Sequence, residues 1–177
     1  MNKEYYMSYA LQLAKLSADE GEVPVGAVVV CNGEIVGEGR NKRETVKNAL
    51  HHAEIEAINQ ACAKLGGWRL WHCDMYVTLE PCPMCAGAII NSRIKNVYFG
   101  AKDEKNGAVV SVAQLFDMNF THKPQYESGI LETECSHILT NFFKDLRKSK
   151  AGEENEHNSS NFNWQSAGWY RRCENFR

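Results

Sequence analysis

A histidine and a carboxylate sit one residue apart in His52-Ala53-Glu54, and two cysteines sit three apart in Pro81-Cys82-Pro83-Met84-Cys85. Imidazole and thiolates together supply metal ligands, here His52, Cys82 and Cys85, and ligands of that kind select zinc. A structural zinc site is usually closed by four protein ligands, whereas a hydrolytic one keeps a position for water. The other cysteines, at 31, 62, 73, 135 and 173, form no second Cys-x-x-Cys, so the fourth position reads as water. Zinc lowers the pKa of bound water from about 15.7 to about 7, which yields hydroxide near neutral pH. Glu54, beside a ligand, is the natural carrier of the proton released. His51 competes with His52 on residue type alone, and the His-x-Glu spacing selects His52.

These residues need elements that bring two distant segments together. The apolar stripe Ala57, Ile58, Ala61, Cys62 and Leu65 predicts a helix from about His52 to Leu65, with Glu54 on its inward side. An inward carboxylate lacking a partner shifts its pKa upward and holds a proton. Cys82 and Cys85 fall on the first turn of a second helix, near Pro83 to Asn91, where proline suits the first position. The positive end of that helix favours thiolates. The small residues Ala86-Gly87-Ala88 would let the two helices approach closely. Residues 3 to 20 show helical spacing stopped by Gly21. Val25 to Cys31 reads as a strand covered on both faces, and Asn32-Gly33 as a hairpin turn into a strand from Glu34 to Arg40. Asp74 to Leu79 and Lys95 to Gly100 flank the cysteine helix, which implies a parallel pair with a right-handed crossover. A short helix at about Ser111 to Asp117 and a long one at about Glu132 to Lys148 complete an α/β domain, a three-layer α/β/α sandwich.

The domain spans residues 1–148, and 149–177 form a polar C-terminal extension. Ala151 to Asn163 has nothing from which to build a core and is expected to be disordered. Beyond it, Trp164, Trp169, Tyr170 and Phe176 mix with Arg171, Arg172 and Arg177, a composition that can stack on single-stranded bases or simply form an unstructured end. Hydrophobic content of 44% and charged content of 24% fit an ordinary globular chain of 177 residues. No apolar run approaches a membrane span, and the N-terminus lacks a signal-peptide layout. Seven cysteines, two of them needed as thiolates, fit a reducing cytoplasm better than a disulfide framework. A net charge of −2 gives no sign of a nucleic-acid binder by itself, because placement matters more than the sum. The clusters Arg40, Lys42 and Arg43, then Arg93 and Lys95, then Lys102 and Lys105, each follow an element expected to border the site. They read equally as a binding rim or as solvated loops.

The H-x-E and P-C-x-x-C pattern is the signature of zinc-dependent hydrolytic deamination of an aminated heterocycle. Around it, Gly37-Glu38-Gly39-Arg40-Asn41 and the block from Tyr76 through Cys85 to Ile90 resemble the bacterial tRNA-specific adenosine deaminases. So do Ser92-Arg93-Ile94, Val97 to Asp103 and Gly129 to Cys135. The resemblance runs from about Glu4 to Lys148. It implies a cytidine-deaminase-like fold with a mixed five-stranded sheet, and conversion of adenosine to inosine at the wobble position of tRNA, chiefly the arginine tRNA with anticodon ACG. It also implies one Zn2+ per subunit and a homodimer in which the anticodon stem-loop touches both subunits. By position, His52, Cys82 and Cys85 would bind zinc and Glu54 would shuttle protons. Asn41 would hydrogen-bond the flipped base, and Asp103 would lie along the anticodon loop. Unpaired loop bases can be splayed into a pocket at low cost.

The chain departs from the family pattern at Val109 and Val110, expected in a loop near the RNA path, and at Thr121 and Pro124-Gln125-Tyr126, expected at the edge of the pocket. A deaminase of a free base or nucleoside, of guanine or cytosine type, is the alternative enzyme. It would need a closed pocket without a basic rim. A zinc-holding subunit without catalysis would lack the glutamate, and Glu54 is present.

Overall fold

Ala27, Val28, Val29 and Val30 are all withdrawn from solvent, as a strand with layers on both sides requires. The computed structural model describes residues 2–157, with side chains through residue 149, and places that strand second in its sheet. Helix α1 (Lys3–Asp19) is capped by Asn2, whose side chain accepts the Tyr5 N–H at 3.1 Å. Strand β1 (Gly26–Cys31) turns through Asn32 and Gly33, at φ 51° and 86°, into β2 (Glu34–Arg40). A one-turn helix α2 (Arg43–Val46) precedes α3 (Ala53–Leu65), β3 (Cys73–Leu79), α4 (Pro83–Ser92) and β4 (Asn96–Ala101). A 3-10 turn (Leu115–Asp117), β5 (Gln125–Ser128) and α5 (Glu132–His157) follow.

The sheet is mixed and five-stranded, in the order β2-β1-β3-β4-β5. Strand β1 is antiparallel to β2 and β3, while β4 runs parallel to both β3 and β5. Alternate residues feed opposite layers. Val28, Val30 and Tyr76 meet Tyr6, Met7 and Ala10 of α1 and Cys135 of α5 on one face, while Val29, Met75, Val77 and Phe99 meet Ala57 and Ile58 of α3 and Ile89 of α4 on the other. This is the expected α/β/α sandwich.

Strand β2 and helix α3 touch without intervening side chains. A Cβ on Gly37 would lie 2.1 Å from the Ala57 carbonyl oxygen, and one on Gly39 would lie 1.9 Å from that of Ala53. The glycines therefore set the height at which the first turn of α3, and with it His52 and Glu54, stands above the sheet. Gly39→Ala is expected to lower stability by about 3 kcal/mol, because backbone must move to admit one methyl. Urea unfolding measures that cost. The same variant should bind metal more weakly, since the start of α3 shifts.

Four details differ from the pattern-based expectation. Of the segment from Ser111 to Asp117, only Leu115–Asp117 is helical, and as a 3-10 turn, because the amides of residues 109–111 bond a buried carboxylate instead of continuing a helix. Gln125 and Tyr126, expected at a pocket edge, belong to β5, an edge strand that is exposed throughout and carries no apolar alternation. Within Ala86-Gly87-Ala88, Ala86 is buried, but a Cβ on Gly87 would meet nothing within 4 Å. That glycine does not serve close approach to α3. Finally, α5 runs on to His157, into the segment expected to lack structure. Ala151, Glu153 and Glu154 are good helix formers, so a sequence too polar for a core can still be helical. The chain divides into two compact units, Met1–Phe142 and Phe143–Arg177. The aromatic and arginine residues from Trp164 to Arg177 lie outside the described residues. Among the described residues, no helix is long and apolar enough to cross a membrane.

Candidate active site

Two helices begin at residues of metal-ligating type. His52 is the N-cap of α3 and Cys82 the N-cap of α4, and neither side chain makes a capping hydrogen bond. Both are left available to each other. His52 Nδ1 lies 3.7 Å from Cys82 Sγ and 3.5 Å from Cys85 Sγ, and the three candidate ligand atoms fall within 4.8 Å of one another. With Zn–S near 2.3 Å and Zn–N near 2.0–2.1 Å, tetrahedral nitrogen and sulfur ligands stand about 3.6 Å apart. The residues present therefore fit zinc. His51 is directed elsewhere: its Nδ1 lies 3.0 Å from Glu56 Oε1.

The protons of this trio are unevenly held. The Cys82 thiol is pulled down to about 4, first by the hydrogen bond it shares with Cys85 and further by His52. Cys85, on the other side of that bond and buried, is pushed far above the usual thiol range. His52 is raised, chiefly by its bond to Cys82. A dication entering here displaces protons and inherits ligands already in place.

Glu54, on the first turn of α3, is 3% exposed. Burial is the largest cause lifting its carboxyl from 4.5 to about 7, with its own backbone amide opposing and the charge on Cys82 adding. An acid poised near neutrality is suited to both taking and giving a proton. Its raised pKa also costs stability when metal is absent. Between 4.5 and about 7 the folded chain holds a proton that the unfolded chain has lost, so stability falls as pH rises through that window. Above it the loss is complete. Metal-free Glu54→Gln, which has no charge to bury, should exceed metal-free wild type by about 1–3 kcal/mol at pH near 8. The difference should vanish below the unfolded pKa, as urea unfolding at several pH values in chelator would reveal.

The two remaining candidates lie on neighbouring segments. Asn41, just past β2, is 6% exposed. Its N–H donates to Val25 O at 3.0 Å, and its carbonyl accepts from the Ser17 hydroxyl at 3.0 Å. The next residue, Lys42, donates its N–H to the His51 carbonyl at 3.1 Å, which ties the Asn41 segment to the start of α3. Asp103 is half-buried in the loop after β4, where its Oδ1 accepts from the N–H groups of Lys105 and Asn106 at 3.0 and 3.1 Å. Of the basic clusters, Arg40 is held in a bidentate pair with Glu20, both contacts at 2.7 Å. Val109 is fully buried within the layer of α3 and α4, so that departure from the family pattern is a packing change. Pro124 is buried, and the loop before it is pinned by the His122 ring, which donates to the Ile94 carbonyl at 2.7 Å.

Two buried carboxylates near the site escaped the sequence reading. Glu22, fully buried, accepts the Thr45 N–H at 2.7 Å and lies 3.5 Å from the Asn41 side-chain nitrogen. Burial pushes its carboxyl up, yet bonds to Thr45 and the neighbouring amides outweigh this and hold it below the usual range. Glu80, 2% exposed, follows β3 directly, two residues before Cys82, and gathers five donors from the loop after β4. The available signal was a charged residue between an apolar strand and a candidate ligand.

Comparison with known proteins agrees with this geometry. The model of the MafB19-like deaminases matches residues 1–147. The tRNA-specific adenosine deaminase of Bacillus subtilis is 48% identical over 148 residues, 83% of this chain and 92% of that one. That of Aquifex aeolicus is 45% identical over 150 residues, covering 84% and 99%. A solved structure from work on A-to-I editing by tRNA:A34 deaminases superposes with a TM-score of 0.74 at 42% identity, over 76% of this chain and 99% of that one. Guanine deaminase from Bacillus subtilis is more distant, at 32% identity and a TM-score of 0.55 over 68% and 88%. With matches of that length on either side of a His52, Cys82 and Cys85 cluster, the chain belongs to the MafB19-like deaminases and to the family of tRNA-specific adenosine deaminases.

Proposed function

We propose that this enzyme hydrolytically deaminates adenosine to inosine at the wobble position of tRNA, with the arginine tRNA of anticodon ACG as principal substrate. The observation that carries the reading is the buried Glu54 beside three convergent ligands, set in a chain whose relatives act on tRNA. His52 through Nδ1, Cys82 and Cys85 would hold one zinc ion. When bound, zinc lowers the pKa of water from about 15.7 to about 7 and so supplies a nucleophile at neutral pH.

The remaining steps fall to the chain's own residues. Glu54 takes the proton from water and delivers it to the ring nitrogen next to the amino-bearing carbon. It then takes the second proton, from the hydroxyl that has added to that carbon, and passes it to the departing amine, which leaves as ammonia. Burial excludes bulk water from this exchange and keeps the carboxyl near the pH at which it works. Asn41, fixed through its backbone at both ends, hydrogen-bonds the flipped base, and the loop bearing Asp103 lies beside the anticodon strand. The functional unit is a homodimer in the cytoplasm. Free cysteines at all six described positions fit that reducing compartment.

Inosine formation on an ACG anticodon stem-loop, run beside free adenosine, guanine and cytidine, tests the proposal. Conversion of the stem-loop above all free nucleosides and bases is expected. Turnover of guanine or cytidine alone would retain the deaminase and remove the tRNA.

A further inference from the structure

Ten residues between β4 and the 3-10 turn, 102 to 111, form neither helix nor strand. A loop of that kind keeps a defined shape only if something replaces the missing ladder. The Asp103 side chain accepts the Lys105 and Asn106 N–H groups and its carbonyl accepts the Gly107 N–H at 2.8 Å, while one buried carboxylate ties the two ends of the loop together. Glu80 Oε1 accepts the backbone N–H groups of Val109, Val110 and Ser111 at 3.1, 2.8 and 3.0 Å. Its Oε2 accepts the Asp103 N–H at 3.1 Å and the Ser111 hydroxyl. Gly107 closes over the group: a Cβ there would come within 2.3 to 2.5 Å of the carboxylate atoms. The Ala108 N–H, donated to the Pro81 carbonyl at 2.9 Å, adds a second tie to the segment entering Cys82. The outer side of the loop carries exposed Lys102, Glu104 and Lys105 and half-buried Asp103.

Burying a carboxylate is costly unless its lone pairs are satisfied. An apolar residue could have filled the space, but it could not collect amides from both ends of a loop. Resting on the tRNA reading given above, we propose that Glu80 is a positioning residue: it shapes loop 102–111 into the surface that receives the RNA strand flanking the target base. Glu80 touches neither substrate nor metal in this role. It acts through the backbone of Asp103 and of residues 109–111. Its contribution is therefore binding that is equal in ground and transition states, and such binding appears in KM.

Glu80→Gln, in the full chain loaded with zinc, makes the distinction. The carboxamide can keep its oxygen on the three amides at 109–111, but its NH2 group then confronts the Asp103 N–H. On the ACG stem-loop we expect KM to rise about tenfold with kcat within about threefold of wild type. Zinc content and the thermal midpoint should be retained. Ser111→Ala removes one donor only and should raise KM about threefold, which keeps the test open if the glutamine variant folds poorly. Unchanged KM in the folded variants, with wild type active, overturns the proposal and leaves the deaminase reading intact. A fall in kcat at constant KM, or loss of zinc, assigns Glu80 to the metal segment and overturns it too. A wild type that turns over free nucleosides but no stem-loop removes the RNA reading first, and this role with it.

Discussion

Glu54→Gln is expected to lower kcat on an ACG stem-loop by about 10³-fold, a typical share for general acid–base catalysis, while zinc content and stem-loop affinity stay near wild type. Shape and place account for this outcome. Glutamine matches the buried side chain in size, and the site that holds Glu54 is almost closed to solvent, so no bulk water can take over its proton. What is lost is the ability to move one proton from water to the ring and a second from the added hydroxyl to the departing amine. Single-turnover inosine formation measures the loss, with metal analysis and anisotropy on labelled stem-loop as companions. Activity within tenfold of wild type would sink the mechanism. Loss of zinc would instead give Glu54 a structural share in the metal site.

Removal of the metal should have an equally large effect, on fold as well as on rate. Chelation at neutral pH is expected to abolish measurable deamination and to lower the thermal midpoint by about 10 °C, taking a ligand at about a thousandfold its dissociation constant as worth about 4 kcal/mol. One equivalent of zinc should restore both. The sign with pH follows from the protons already present. Cys82 gives up its proton readily, Cys85 holds its proton tightly, and His52 is raised. Metal entry must therefore release protons, and affinity should climb as pH rises from about 5 to 8. Cys85→Ser should mimic chelation, because an alcohol is a poor zinc ligand and this position is buried. Full activity after exhaustive chelation would refute the metal's role.

The convergence of His52, Cys82 and Cys85 and the burial of Glu54 were legible in the sequence because each depends on local geometry. His52 and Glu54 share one helix start and Cys82 and Cys85 another, and the strands flanking the cysteine helix forecast its crossover. The approach of the two starts does not come from the Ala86-Gly87-Ala88 run as expected, since Gly87 faces open space. Strand β5 was not legible as a strand. Gln125–Ser128 is short and exposed, and its only reason to be extended is the hydrogen bonding offered by β4. Glu22 and Glu80 were hidden for a related cause. Their partners are backbone amides more than twenty residues away in sequence, and an amide donor leaves no trace in residue type. Val109 looked like a change on the surface of a loop near the RNA path, but its side chain is fully buried. In each case the missing information was a long-range contact to main chain, which no periodicity encodes.

The clasp between Arg40 and Glu20 changes what a polyanion meets at the end of β2. Tight polyelectrolyte binding draws on counterions released when cations replace them at phosphates. A guanidinium already closed on a carboxylate carries no net charge outward and would have to abandon that partner first. The electrostatic footprint is thus smaller than a count of arginines and lysines implies, in a chain whose net charge is already −2. Recognition on that side would then lean on the contour of the ordered loops and on the target base itself, and would tolerate salt better than a basic groove does.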